Sequence, residues 1–172
     1  MGEVWATSAV QKRKLLVLDL DETLIHTAYA PIEGTELKAR RGYFYLYERP
    51  YLKAFLDRCS TNYDLAIWSA SKADYVRWII RSTVLSDYSF VFINTRKNCK
   101  RIFGNGGRVE YLKDLTAYLP QYEKVIMLDD VPKMVIPIEC CIKVPEFRGG
   151  VDEFLMNIEI TFVNIDKLEN LW

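Results

Sequence analysis

The apolar run Leu15-Leu16-Val17-Leu18 breaks directly into Asp19-Leu20-Asp21-Glu22-Thr23, so a segment of strand length ends in two carboxylates one residue apart. Four consecutive apolar residues bounded by charge read as a strand buried on both faces, and such strands belong to mainly parallel sheets covered on either side. In open sheets of that kind ligands collect beyond the carboxyl ends of the strands, so the acids stand at the mouth of a site. If the chain stays extended past Leu18, alternation points Asp19 and Asp21 to the same side. Two carboxylates so placed resist ionising together without a cation between them, and a divalent metal is the natural remedy. For a bare pair of this kind an acidic surface turn is the competing explanation.

The rest of the chain repeats the pattern. Tyr63-Asp64-Leu65-Ala66-Ile67-Trp68 reads as a second central strand running into Ser69-Ala70-Ser71, and Lys124-Val125-Ile126-Met127-Leu128 as a further strand running into Asp129-Asp130. Independent surface turns have no reason to place complementary groups at one sheet edge, so the three clusters are read as one site. Arg49-Pro50 predicts a helix with proline at its first position, followed by Tyr51, Leu52, Phe55, Leu56 and Cys59 at helical spacing. The hydroxyls of Ser69 and Ser71 precede a second helix expected over 72–81. Residues 88–93 read as another strand, 140–144 as the last, and 152–168 as a final helix. Between the first strand and first helix, residues 27–48 hold Pro31, Gly34 and Gly42 and then the aromatic alternation Tyr43 to Tyr47, which predicts a small β-hairpin insertion beside the site. Gly104-Asn105-Gly106-Gly107 marks a turn, and Lys113-Asp114-Leu115 follows it. Alternating strands and helices imply an α/β, Rossmann-like three-layer architecture with helices on both faces of the sheet. At 172 residues the chain has the size of a single domain.

Lys plus Arg equal Asp plus Glu at 23 each, which removes any argument for a broad grip on nucleic acid or an anionic membrane. Cys59, Cys99, Cys140 and Cys141 lack CxxC spacing and share the chain with the single histidine His26, a poor zinc set. They read as reduced thiols in a nuclear or cytoplasmic protein. No apolar core of signal-peptide length precedes Lys12-Arg13-Lys14, and no later apolar run approaches the roughly 18 residues needed to span a bilayer. A monomer is expected.

Five motifs in order carry a family likeness: Leu18-Asp19-Leu20-Asp21-Glu22-Thr23-Leu24-Ile25-His26-Thr27, Arg49-Pro50, Trp68-Ser69-Ala70-Ser71, Tyr111-Leu112-Lys113-Asp114-Leu115 and Leu128-Asp129-Asp130. Over residues 14–168 the chain resembles the haloacid-dehalogenase (HAD) superfamily, and within it the FCP/SCP-type phosphatases that act on phosphoserine in the C-terminal tail of RNA polymerase II. The resemblance implies an HAD fold and an aspartyl-phosphate mechanism. Asp19 would be the nucleophile, and Asp21 the acid that protonates the leaving oxygen and then the base that activates water. Mg²⁺ would be held by Asp19, the main-chain carbonyl of Asp21 and the Asp129-Asp130 pair, with Asp130 favoured as direct ligand and Asp129 orienting waters or the lysine. Ser69, with Ala70 and the amides that follow, would hold phosphoryl oxygens, Lys113 would neutralise their charge, and Thr23 would position the nucleophile. His26 and Arg49 are read as structural.

The small insertion implies an open site that admits a phosphorylated protein segment, and Tyr29, Tyr75 and the strand from Tyr43 to Tyr47 are candidates for a groove that receives a flanking proline. The same aromatics could equally pack the insertion onto the domain. Trp68-Ser69-Ala70-Ser71 departs from the more usual Phe-Thr-Ala-Ser, and Asp129-Asp130 resembles the FCP-like and ubiquitin-like-domain phosphatases more than the Asp-Asn of the small type. Two alternatives stay open at this point. One is an HAD phosphatase for a nucleic-acid end or small metabolite; the other is a non-catalytic module of the import-receptor kind.

Overall fold

The computed structural model describes residues 13–158. Five parallel strands form the central sheet: β1 (Lys14–Leu18), β5 (Tyr63–Trp68), β6 (Ile93–Asn94), β9 (Lys124–Asp129) and β11 (Cys141–Lys143), in the order β11-β9-β1-β5-β6. β1 lies at the centre, with Leu18 level with Ile67 of β5 on one side and Leu128 of β9 on the other. That register brings the ends of all three strands, and therefore the three polar clusters, to one edge.

Side-chain alternation divides the core in two. Leu16 and Leu18 join Leu65, Ile67, Ile126 and Leu128 on one face, whereas Leu15 and Val17 join Ala66, Trp68, Val125 and Met127 on the other. The first face is covered by α1 (Leu52–Asn62), through Leu52, Phe55, Leu56 and Cys59, and by α2 (Ala73–Ser82), through Val76 and Ile79. Among the described residues neither α-helix covers the second face. Its third layer comprises Leu115, Val135, Phe92, Tyr118 and Tyr122, carried by turns and by a sheet of β7 (Lys100–Phe103), β8 (Val109–Asp114) and β10 (Val135–Ile136). The turn at residues 104–107 is responsible: its glycines Gly106 and Gly107 take positive φ, and the chain doubles back as the β7–β8 hairpin.

The insertion is a three-stranded antiparallel sheet, β2 (Ile25–Ala28), β4 (Phe44–Glu48) and β3 (Ala39–Arg41), with β4 in the middle. Arg41 pairs with Phe44 across a two-residue turn whose first residue, Gly42, has φ 59°. Two sequence expectations need correction. Pro50 does not open α1: Tyr51 follows it in the left-handed region at φ 64° and caps a helix that starts at Leu52. The chain turns there because Arg49, extended before the proline, is drawn fully into the core. The strand expected over 88–93 shrinks to β6, although Val91 and Phe92 already bond to the backbone of β5. Tyr88 instead packs on the first face and places its hydroxyl on the Asp57 carboxylate and the Lys53 carbonyl of α1. The helix expected over 152–168 is present over 154–158, and the remainder lies outside the described residues.

Candidate active site

Asp19 leaves β1 with its amide on the Leu128 carbonyl at 3.1 Å, which holds it against the end of β9. The chain then turns tightly: the Leu20 carbonyl accepts from the amides of Thr23, Leu24 and Ile25, and Glu22 takes φ 59°. Leu20 and Leu24 are buried inside this turn, which throws Asp21 and Glu22 outward to the cavity. Lys113, four residues after Val109 at the start of β8, reaches inward from the β7–β8 hairpin. Its Nζ donates to Asp19 Oδ1 at 2.6 Å and to Asp129 Oδ2 at 2.7 Å, and all three side chains are buried. The Lys113 ammonium thus bridges Asp19 and Asp129.

The electrostatics follow from burial. Removal from water pushes the Asp19 carboxyl well above its ordinary pKa, and the nearby Asp129 charge adds to that, although Lys113 opposes the shift. Burial works against the Lys113 ammonium too, yet the two carboxylates together hold its pKa above the ordinary lysine value. Asp130, half-buried beside the Asp129 charge, is pushed up to about 6, with burial the larger cause.

Carboxylate oxygens of Asp19, Asp129 and Asp130 lie within 4.8 Å of one another. An all-oxygen set of this size suits a hard divalent cation such as Mg²⁺. The two neighbours differ in what they have left to offer. Asp129 gives Oδ2 to Lys113 and Oδ1 to the Val131 amide at 2.8 Å, whereas Asp130 pairs with no other side chain among the described residues.

Asp21 is held by two hydroxyls that join the strand ends. Ser71 Oγ donates to Oδ2 at 2.9 Å and Tyr75 Oη to Oδ1 at 2.5 Å. Burial and the adjacent Asp21 charge drive the Tyr75 phenol far above its usual pKa, so it stays a donor. Neither contact was assigned from sequence. Tyr75 sits within the first turn of α2, directly after a Ser-Ala-Ser strand end, and that position is the signal that could have found it.

Two expected phosphate contacts sit behind the wall. Ser69 is buried with its Oγ accepting from the Ser71 amide at 3.0 Å, and the cavity surface is formed by Ala70 and Ser71. Thr23 is fully buried, its carbonyl accepts from Arg49 Nη1 at 2.8 Å, and its Oγ1 has no partner among the described residues. Both residues underpin the turns that carry Asp21 and Ala70. Arg49 is structural as expected, with Nε and Nη2 each 2.8 Å from the Asp152 carboxylate and the guanidinium over Phe147 and Phe154. His26 is likewise buried, its Nδ1 3.0 Å from Glu22 Oε1 and outside the cavity wall.

The site occupies a cavity of about 590 Å³ with Asp19, Asp21, Lys113, Asp129 and Asp130 in its wall. A groove of about 750 Å³ adjoins it, and Asp21, Ser71 and Arg96 belong to both. Tyr29, Phe44, Tyr75 and Trp78 form an aromatic row with ring centroids 5.4, 6.1 and 5.8 Å apart, and Tyr43 and Arg41 border the same groove. The aromatic strand therefore contributes less than expected: Tyr45 lies outside the groove, and Tyr47 is buried with its hydroxyl accepting from the Ile32 amide at 2.7 Å.

Comparison with known proteins gives a consistent picture. The model of the NLI interacting factor-like phosphatases matches residues 14–170. Carboxy-terminal domain RNA polymerase II polypeptide A small phosphatase 2 of Homo sapiens is 31% identical over 176 residues, covering 96% of this chain and 62% of that protein. Nuclear envelope morphology protein 1 of Saccharomyces cerevisiae is 34% identical over 122 residues, covering 62% of this chain and 26% of that protein. The chain thus spans less than two thirds of the length of either relative. Its fold is similar to that of Fcp1, an essential RNA polymerase II CTD phosphatase, with a TM-score of 0.57 over 91% of this chain and 50% of that one at 19% identity.

Proposed function

The chain belongs to the NLI interacting factor-like phosphatase family, and from that premise we propose that it removes phosphate from phosphoserine or phosphothreonine in a protein segment, with Asp19 as nucleophile. The observation that carries this reading is the fixed arrangement of Asp19 on Lys113 and of Asp21 under two hydroxyls, in one cavity that opens sideways into an aromatic groove.

In the first step a carboxylate oxygen of Asp19 forms a bond to phosphorus as the bond from phosphorus to the serine oxygen breaks, and Asp21 delivers a proton to that oxygen. In the second, Asp21 takes a proton from water as the water oxygen attacks phosphorus, and phosphate leaves with the Asp19 carboxylate restored. Asp21 serves as acid and then base, a role worth about 10²–10⁴-fold. Ser71 and Tyr75 aim its carboxyl group. Lys113 holds Asp19 in place and offsets the negative charge brought by the phosphoryl group. Ala70 and Ser71 form the wall nearest the transferring oxygens. Asp19, Asp130 and the main-chain carbonyl of Asp21 would hold Mg²⁺, with Asp129 supporting Lys113; bound there, the metal supplies Lewis-acid neutralisation of phosphoryl charge. The proline-flanked, polymerase-tail type of substrate is proposed because a relative 31% identical to this chain is named for that tail, and because the Tyr29-Phe44-Tyr75 row offers rings to an extended proline-containing chain. A nuclear location is proposed on the same grounds; no helix among the described residues is long and apolar enough to cross a membrane.

The test is phosphate release from p-nitrophenyl phosphate and from phosphoserine peptides, with Mg²⁺ and with chelator, for wild type and Asp19→Asn. Metal-dependent release that the variant loses by about 10⁴-fold or more is expected. Release that survives in Asp19→Asn would remove the aspartyl-phosphate assignment.

A further inference from the structure

The groove beside the catalytic cavity carries more positive charge than an apolar docking site requires. Arg41, Lys72 and Arg96 line it, and apart from Asp21 the only acid in its wall among the described residues is Asp74. Asp74 is already engaged: its carboxylate lies 3.6 Å from Arg41, whose guanidinium also donates to the Asp74 carbonyl at 3.4 Å. Arg96 is fixed by Nε on the Ala70 carbonyl at 2.7 Å and by stacking over Tyr111 at 4.9 Å. Lys72 stands apart from both. It is exposed, occupies the position just before α2 without its side chain capping the helix, and that side chain makes no hydrogen bond or ion pair among the described residues.

An unpaired surface lysine is ordinarily just solvated. This one lines the groove and follows Ser71, the residue that donates to Asp21 and belongs to both the groove and the catalytic cavity. The groove also holds aromatic rings, and such an apolar wall screens charge less than water does, so the field of a cation beside it reaches further along the groove. A peptide with only neutral residues around its phosphoserine fills the aromatic row and leaves Lys72 without a partner.

We propose that Lys72 makes this site selective for segments bearing a second anionic side chain, a carboxylate or another phosphate, beside the phosphoserine that is hydrolysed. The proposal rests on the phosphatase reading above and sharpens its substrate class. An ion pair of this exposure is worth a factor of roughly five, and it weakens as salt rises.

The experiment compares kcat/KM for phosphoserine peptides that differ only by one aspartate, or one additional phosphoserine, moved along both flanks in single steps. Dissociation constants for the same peptides are measured on Asp19→Asn, which reads recognition without turnover. The expected result is one flank position where the anion raises kcat/KM about fivefold and tightens binding to match, with the ratio falling to near one in Lys72→Gln, surviving in Lys72→Arg and declining with added salt. Whether aspartate suffices or the second phosphate is required separates the two sources of charge. If wild type hydrolyses every peptide alike and Asp19→Asn binds them alike, the selectivity is overturned while the phosphatase reading stands. If none is hydrolysed but the anion-flanked peptides still bind more tightly through Lys72, the selectivity stands and the phosphatase reading falls. A preference that persists undiminished in Lys72→Gln assigns the charge recognition elsewhere and also overturns the proposal.

Discussion

The floor of the catalytic cavity and the groove beside it are built on opposite physical terms. On the floor, Lys113 is 3% exposed and tied at 2.6 and 2.7 Å to two buried carboxylates. In the groove, Tyr29 and Tyr43 are 78% and 80% exposed and are held by little more than ring contacts and a two-residue turn. A buried ionic network tolerates almost no change, because removing one member strands the others without water. An exposed aromatic wall can be altered at small cost to folding. The molecule therefore separates a rigid, ion-paired floor from a wall that can change at little cost to the fold.

Lys113→Met is the strongest way to break that contrast. It leaves Asp19 and Asp129 buried without their cation, and a loss of about 3–5 kcal/mol in chemical denaturation is expected, together with a fall in kcat of about 10³-fold. Added Mg²⁺ should restore part of the stability, since a ligand that binds only the folded state stabilises it. A variant as stable as wild type in chelator would show that the floor is not the rigid element described.

Next in size is Arg49→Met, which removes the paired hydrogen bonds to Asp152 and the one to the Thr23 carbonyl; a loss of about 3 kcal/mol is expected. A pH series checks the cause. Burial works against ionising Asp152, but the hydrogen bonds and charge of Arg49 outweigh it and hold the carboxyl below the usual range. A depressed folded-state pKa adds stability that is complete above the unfolded value, about 3.9, and disappears as pH falls through the folded value. Wild type should thus lose stability on acidification below about pH 5 more steeply than Asp152→Asn, measured by urea midpoints.

Tyr75→Phe probes the seam between the two regions, since Tyr75 belongs to the aromatic row and donates to Asp21. Loss of one hydrogen bond to a carboxylate should lower kcat about tenfold with little change in KM. An effect confined to KM would place Tyr75 in the groove alone. The smallest expected effect is that of Tyr29→Ala, which should raise KM for proline-flanked phosphopeptides several-fold, on the order of 1 kcal/mol, and leave p-nitrophenyl phosphate hydrolysis unaltered.

Much of this architecture was legible in the sequence for local reasons. Buried parallel strands declare themselves as unbroken apolar runs, so β1, β5 and β9 were visible, and so were the acids and hydroxyls at their ends. Helical spacing gave α1, the hydroxyls after β5 pointed to α2, and the glycine cluster gave the turn near Gly106. Residues 88–93 misled because aromatic alternation looks the same whether the rings pack a strand or, as Tyr88 does, hold a helix.

What only the tertiary structure decided is which polar groups meet. Lys113 and Asp19 are 94 residues apart in the chain, and they touch because β8 pairs with β10 and β7, outside the central sheet, in a register that aims Lys113 inward. Packing alone likewise withdrew Ser69 and Thr23 behind the wall and brought Ser71 and Tyr75 onto Asp21. Periodicity records how each segment presents one face to its neighbours, and the sequence determined that much by itself. Contacts across tens of residues depend on the whole core closing at once, and no local pattern records them.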